Sequence, residues 1–203
     1  MPAPGAGTIE IVARYDRAMQ SSRPLVVLVT GAPGTGKTTL GRRLADDLGC
    51  ALLSKDAIKE RLADEDGIPH TVAESRRLGA RAYADLFRAA HRLAARDGRV
   101  VVESNFRRGL AEPELAELIA SADGRVVHCS AARTRIEARY RGRPNRHPAH
   151  LDALRIGEVL RELDEGAYEP PRLDAPVLHV LTDRGYRPPY AAVLAFADAA
   201  SEG

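Results

Sequence analysis

From Pro24 onward the chain alternates short apolar runs with longer amphipathic stretches. The runs are "LVVLVT" (25–30), "CALLS" (50–54), "RVVVES" (99–104), "RVVHCS" (125–130) and "PVLHVLT" (176–182). Each is short, rich in Val and Leu and followed by helical material, the pattern of parallel strands buried on both faces. Between them "KTTLGRRLADDLG" ends on a glycine stop signal, and "TVAESRRLGARAYADLFRAAHRLAARDG" predicts a helix of about seven turns closing at Gly98. Further helices are predicted over "EPELAELIASADG", "AARTRIEARYRGR", "LDALRIGEVLREL" and "PPYAAVLAFADAA". These elements specify one doubly wound α/β domain over 25–203, about five parallel strands sandwiched between helices. Residues 1–24 read as a tail followed by an accessory helix over "IEIVARYDRAMQ". No repeat at a period of 20 to 50 residues interrupts this picture.

Composition narrows the classes. Hydrophobic residues make up 44% of the 203 and charged residues 29%, which excludes disordered and fibrous chains. A net charge of +2 argues against a generic nucleic-acid coat. Cys50 and Cys129 have no ligand spacing and read as two small core residues, not a disulfide or zinc site. The N-terminal "MPAPGAG" has no secretory pattern and no apolar run is long enough to span a bilayer, so a reduced, cytoplasmic, membrane-free protein is expected. The cations are 27 Arg against only Lys37, Lys55 and Lys59. A site that demands a compact charge on a flexible stem should resist such a bias, so the three lysines mark candidate chemistry.

"GAPGTGKTT" (31–39) fits GxxxxGK[ST] at every fixed position and sits after a strand and before a helix, as a phosphate loop requires. The candidate nucleotide-binding residues are Gly31, Ala32, Pro33, Gly34, Thr35, Gly36, Lys37, Thr38 and Thr39. Glycines let the turn curl so that successive N–H groups face phosphate oxygens. Lys37 is expected to reach the terminal phosphates and the Thr38 hydroxyl to ligate Mg²⁺, with the positive end of the following helix adding to the anion site.

A GTP timer needs a base-reading NKxD element, which the chain lacks; "DDLG" and "DEDG" read as helix ends. A mechanical ATPase needs further moving domains. Transfer to a bound acceptor remains, and it needs an acid near the acceptor hydroxyl, Mg²⁺, cations over the transferring group and exclusion of water. In "LLSKDAIKERL" Asp56 follows the second strand at the carboxyl edge of the sheet, placed to accept an acceptor proton, with helix capping by Ser54 or Asp56 as a compatible structural role. The third strand ends in "ESNFRR", and Glu103, Ser104, Asn105 and Arg107 are candidates for positioning acceptor or metal over the same edge. The segment "RTRIEARYRGRPNRHPAH" carries six Arg against Glu137 alone and reads as a lid over about 131–150. Arg135, Arg139 and Arg143 share one helical face provided the helix continues to Gly142. His147 and His150 are spaced like a metal pair, but lid packing fits their surroundings better.

"GAPGTGKTT", "SKDAIKE", "VVVESN" and the Arg-rich lid together resemble the small P-loop kinases: the kinase domain of polynucleotide 5′-kinase, chloramphenicol phosphotransferase, gluconate kinase, zeta toxins and the AAA_33-type predicted kinases, which "RHPAHLD" also resembles. The resemblance runs over about residues 25 to 200 in the order of elements. It implies a P-loop NTPase fold, ATP and Mg²⁺ as cofactors, Asp56 as general base, Lys59 as acceptor contact, Arg139 and Arg143 as lid arginines, and adenine packing by "TDRGYRPP". Glu103 stands where the family has Asp, and Lys59 where it has Arg. The expected activity is therefore an ATP-dependent phosphotransferase acting on a hydroxyl of a small-molecule acceptor. A polynucleotide 5′-hydroxyl kinase and a nucleotide-binding regulatory module are the alternatives, and the lack of an aromatic stacking platform counts against the first.

Overall fold

The computed structural model of the protein describes residues 23–143 and 146–199; the expected accessory helix and Asn145 lie outside them. Five strands form one sheet: β1 (Leu25–Thr30), β2 (Ala51–Ser54), β3 (Arg99–Glu103), β4 (Asp123–Ser130) and β5 (Val177–Leu181). All pairings are parallel, in the order β2-β3-β1-β4-β5. The helices are α1 (Lys37–Asp47), α2 (Lys55–Asp66), α3 (Val72–Asp97), α4 (Glu112–Ala120), α5 (Arg133–Arg141), α6 (Asp152–Asp164) and α7 (Tyr190–Asp198), with a 3-10 turn at Pro148–His150.

Alternate residues of the central strands feed two separate cores, as the period of two requires. Val26, Leu28, Val100, Val102 and Val126 pack with Leu86 and Ala90 of α3 and Leu115 and Leu118 of α4. Val27, Val29, Val101 and Val127 pack on the other face with Leu40 and Leu44 of α1 and Val193 of α7. This is the three-layer α/β sandwich expected. Chain direction explains which helix takes which face: the step from β1 out to β2 runs opposite to the later crossovers, and right-handed connections then put α1 on one side and α3 and α4 on the other.

Register brings the chemistry to one edge. Val29 pairs with Glu103, and Glu103 with Ser54, so the ends of β1, β2 and β3 are level. The phosphate loop, the start of α2 and the segment after β3 therefore emerge side by side at the carboxyl edge.

Two boundaries differ from the sequence reading. The helical pattern "EPELAELIASADG" stops at Ala120, and "DG" opens β4 instead, because Asp123 pairs with Leu25 and its N–H bonds to the Pro24 carbonyl. The lid helix ends at Arg141 with Gly142 at its C-cap, so Arg143 lies beyond it and the shared face of Arg135, Arg139 and Arg143 does not form. By contrast α3 runs as read, opened by a Thr71/Glu74 capping box and closed by Gly98 in the left-handed region.

Candidate functional site

The loop after β1 is shaped by what its glycines permit. Gly31 (φ 137°) lies against β4, where a Cβ would fall 2.1 Å from the Cys129 carbonyl oxygen. Gly34 (φ 93°) passes under the lid, where a Cβ would fall 2.9 Å from the Ile136 carbonyl oxygen. Neither the strained backbone nor the space admits a side chain. Loop carbonyls are held by protein partners: Ala32 O accepts from Thr35 Oγ1 at 2.8 Å, Thr35 O from Thr182 Oγ1 at 2.6 Å and Gly34 O from Arg139 Nη1 at 3.4 Å. Gly36 caps α1 without a side-chain bond, which leaves its first-turn amides for an outside anion.

A cavity of about 270 Å³ opens over this helix end, lined by Gly34, Gly36, Lys37, Thr38, Asp56, Arg139, Arg143 and Arg146. Lys37 is buried and its Nζ lies 3.7 Å from Glu103 Oε1, while Thr38 and Thr39 are exposed. These residues fit a triphosphate and its magnesium ion: an uncapped helix start, one lysine, and a free hydroxyl one residue later. Ala32 is buried with Ile136, Tyr140, Val159 and Tyr168, so the lid core rests directly on the loop. Pro33 lines a narrower gap between the loop, Asp56 and the lid.

Asp56, in the first turn of α2, lies between cations. Lys55 Nζ is 3.5 Å from Oδ1, and Arg146 Nη2 donates to Oδ2 at 2.7 Å. Burial alone raises this carboxyl, but the cations Lys55, Arg146 and Lys37 together hold it well below the ordinary carboxylate range. Arg146 also reaches Glu60 (3.2 Å) and Asp152 (3.3 Å). His147 bonds to Asp64 at 3.1 Å and His150 to Glu60 at 2.7 Å. Both histidines thus dock the 3-10 turn on α2, and burial pushes His150 down to about 3, so it binds Glu60 as neutral imidazole. Ser54 is at the N-cap of α2 but does not cap it; its hydroxyl donates to Glu103 Oε2 at 2.7 Å.

A second cavity, of about 480 Å³, lies on the other side of Lys55, between α2, α3 and the segment after β3. Lys55, Lys59, Tyr83, Asn105, Arg107 and Arg155 are among its walls. Glu103 and Ser104 do not line either cavity. Glu103 is buried against Lys37 and Ser54, and Ser104 bonds to Tyr83 Oη at 2.8 Å, because the strand carries them inward before the chain turns out at Asn105. Arg107 pairs with Glu162 and Glu158.

Of the expected lid arginines, Arg139 is clamped to the loop after β5, with Nη2 donating to Thr182 O at 2.7 Å. Arg143 lies 3.3 Å from Asp152 and over the Tyr140 ring. Arg135 makes no such contact and is exposed. Sequence reasoning missed Arg146, one of six lid arginines with nothing local to single it out. Lys55 was signalled by the scarcity of lysine but given no role. "TDRGYRPP" does lie by the loop: Thr182 bonds to Thr35 and Asp183 accepts from the Ala132 N–H.

Residues 26–165 match the AAA_33 family, described as an AAA domain. The chain belongs to this family. A solved structure from Chloroflexus aurantiacus J-10-fl, provisionally assigned as a kinase, is 32% identical with a TM-score of 0.73, over 85% of this chain and 96% of that one. A sugar kinase from Janibacter sp. HTCC2649 shares the fold at 18% identity and a TM-score of 0.55, over 86% of this chain and 95% of the other. Among curated proteins, shikimate kinase of Thermobifida fusca is 63% identical over 43 residues, 21% of this chain and 24% of that protein. The chain thus spans about a quarter of the curated relatives it matches. These structural neighbours are small P-loop kinases, and such kinases generally use ATP with Mg²⁺. Among the described residues no helix is long and apolar enough to cross a membrane.

Proposed function

We propose that the chain is an ATP- and Mg²⁺-dependent phosphotransferase acting on an alcohol of a small molecule. One observation carries the reading: Asp56 lines the phosphate-loop cavity together with Lys37 and Thr38, while its neighbour Lys55 lines the second cavity. A carboxylate at that junction stands where donor and acceptor have to meet.

In this reading the α1 amides and Lys37 hold the β and γ phosphates, and Glu103 holds Lys37 in place. Thr38 supplies the protein ligand to Mg²⁺, which when bound neutralises charge on the transferring group. Arg139, Arg143 and Arg146 face the same cavity and oppose the charge that spreads over the equatorial oxygens. Asp56 orients the acceptor hydroxyl and receives its proton as the acceptor oxygen bonds to the γ-phosphorus and the bond to the bridging oxygen breaks, releasing ADP. Its depressed pKa makes it a dependable hydrogen-bond acceptor near neutrality and a weak base. Weak basicity suits a loose transition state in which the proton leaves late. Asn105, on the wall shared with Lys55, and Lys59 contact the acceptor.

The test is transfer of labelled γ-phosphate across a panel of small alcohols. Lys37→Ala is expected to abolish transfer. Asp56→Asn is expected to keep ATP affinity and slow transfer by about 10² to 10⁴-fold. Full transfer by Asp56→Asn to a verified acceptor overturns the base assignment.

A further inference from the structure

Two of the three arginines over the phosphate-loop cavity stand on irregular chain. Arg139 belongs to α5 and is fixed by the carbonyl oxygens of Gly34 and Thr182. Arg143 and Arg146 come after that helix has ended, so no helical geometry aims them, and side chains of this length have many rotamers to choose from. Tertiary contacts therefore have to select the conformers that face the cavity. Among the described residues, Asp152 is the one carboxylate within ion-pair distance of both. Its Oδ2 lies 3.3 Å from Arg143 Nη1 and 3.3 Å from Arg146 Nε, and its Oδ1 accepts from Tyr140 Oη at 3.0 Å.

The surroundings of Asp152 hold it to this task. Tyr140 is buried with Ala32 of the phosphate loop, and the Arg143 guanidinium sits 4.9 Å from the centroid of its ring. Burial, then the Asp152 charge, pushes the Tyr140 hydroxyl up, so it stays a donor. The carboxylate is thus tied to the loop that would hold the phosphates. The residue before it, Leu151, has φ 51° and is the one non-glycine among the described residues with positive φ. Leucine is strained in the left-handed region, and such strain persists only where the surrounding structure enforces it. Here it joins the 3-10 turn docked on α2 to the first residue of α6. Helix stability does not account for the arrangement. A negative charge in the first turn is favourable, but the Asp152 carboxylate bonds to Tyr140 and Arg143 and takes no hydrogen bond from the α6 amides. Arg146 Nε, moreover, is buried without a hydrogen-bond partner: Asp152 is near enough to attract it but not aligned to accept from it. A buried donor left in that state calls for a functional explanation.

We propose that Asp152 is a positioning residue for phosphoryl transfer: it aims Arg143 and Arg146 at the transferring group, while the nucleotide itself is held by Lys37 and the α1 amides. This rests on the phosphotransferase reading above and adds a residue to it. Both contacts to Oδ2 are long for charge-assisted bonds, so each guanidinium can turn to an equatorial oxygen without first giving up a short ion pair. The effect belongs to the transition state, when charge spreads over the oxygens that the two guanidiniums face.

The experiment is steady-state loss of labelled γ-phosphate from Mg·ATP, both to the small alcohol that accepts best and to water, paired with calorimetric titration of Mg·ADP into the full chain. Asp152→Asn is expected to lower kcat about tenfold or more and to change KM for ATP and ADP affinity by less than about threefold. Tyr140→Phe keeps the ring under Arg143 and frees Oδ1; it should show a smaller loss with the same split, and it serves if Asp152→Asn does not fold. In an Arg143→Met background the cost of Asp152→Asn should shrink severalfold, because one of the groups it aims is gone. A merely structural aspartate would cost the same in either background. Unchanged kcat in the variant that folds, parallel losses of kcat and ADP affinity, or an undiminished cost beside Arg143→Met overturns the inference alone. An unsubstituted chain that binds Mg·ADP yet loses no γ-phosphate to alcohol or water sinks the phosphotransferase reading, and the inference falls with it.

Discussion

Lys59 makes a prediction about stability as well as binding. Burial foremost, then the charges of Lys55, Arg155 and Arg146, with Asp56 opposing, lowers its pKa to about 8 from the usual 10.5. The unfolded chain then holds a proton between those values that the native chain has released, so this group makes stability rise with pH across that window. Below pH 8 both states are protonated and the folded one carries the whole penalty. Tyr83, pushed up to about 12 mainly by burial, works in the opposite direction above pH 10. Lys59→Met is therefore expected to raise stability at pH 7 by about 1–3 kcal/mol and to flatten the rise between pH 8 and 10, measured by denaturant midpoints across pH. A residue whose removal stabilises the fold is one kept for something other than folding. Gly31→Ala should do the reverse: the new methyl meets the backbone of β4, and both the melting temperature and ATP affinity should fall.

Among the elements, the lid and α2 depend on each other. Arg146, His147 and His150 tie residues after α5 to Asp56, Glu60 and Asp64, and Ala149 is buried among Leu62, Ala63, Leu78 and Ala82. In this arrangement Arg146 positions Asp56 while docking the lid. Arg146→Met removes one of the cations that hold the Asp56 carboxyl down, so its pKa rises. The acid limb of the transfer rate should then move to higher pH, with ATP affinity changed less than kcat. An unmoved acid limb contradicts this. The elements also show what a sequence yields. Local signals sufficed for α3, where a capping box and a left-handed glycine mark both ends, and for the strands, whose apolar runs have no other stable use. They failed at "DG" of β4, where pairing with β1 overrides a helix-like pattern, and at Arg143, where Gly142 ends the helix before the face is complete.

For the whole molecule, the loop motif announced a phosphate site without any knowledge of topology, because every residue it needs is consecutive. The other side of the site is assembled from places far apart in the chain. Arg146 meets Asp56 across 90 residues, and Ser75 links Lys59 to Ala149, so no window of sequence contains the geometry. Glu103 shows the converse: its position at a strand end pointed to acceptor or metal, while sheet register turns its side chain inward to Lys37. The two cavities lie on either side of Lys55 and Asp56, and the sheet edge fixes their separation. Occupancy of one should therefore be felt at the other. Filling the second cavity is expected to tighten the nonhydrolysed nucleotide analogue by the same factor as the analogue tightens the second ligand, a reciprocity that paired titrations can check.

All three lysines of an arginine-rich chain converge here: 9% of the Lys37 side chain and 12% of the Lys55 side chain are exposed, and Lys59 as a whole is 1% exposed. Beyond the α-amine, an amine-acylating reagent has only these targets. The lowered pKa of Lys59 leaves a larger fraction of it as free amine than an ordinary lysine at pH 8. Peptide mapping after such labelling thus becomes a footprint of the site: nucleotide should shield Lys37, and an occupant of the second cavity should shield Lys59, without a mutation in the protein.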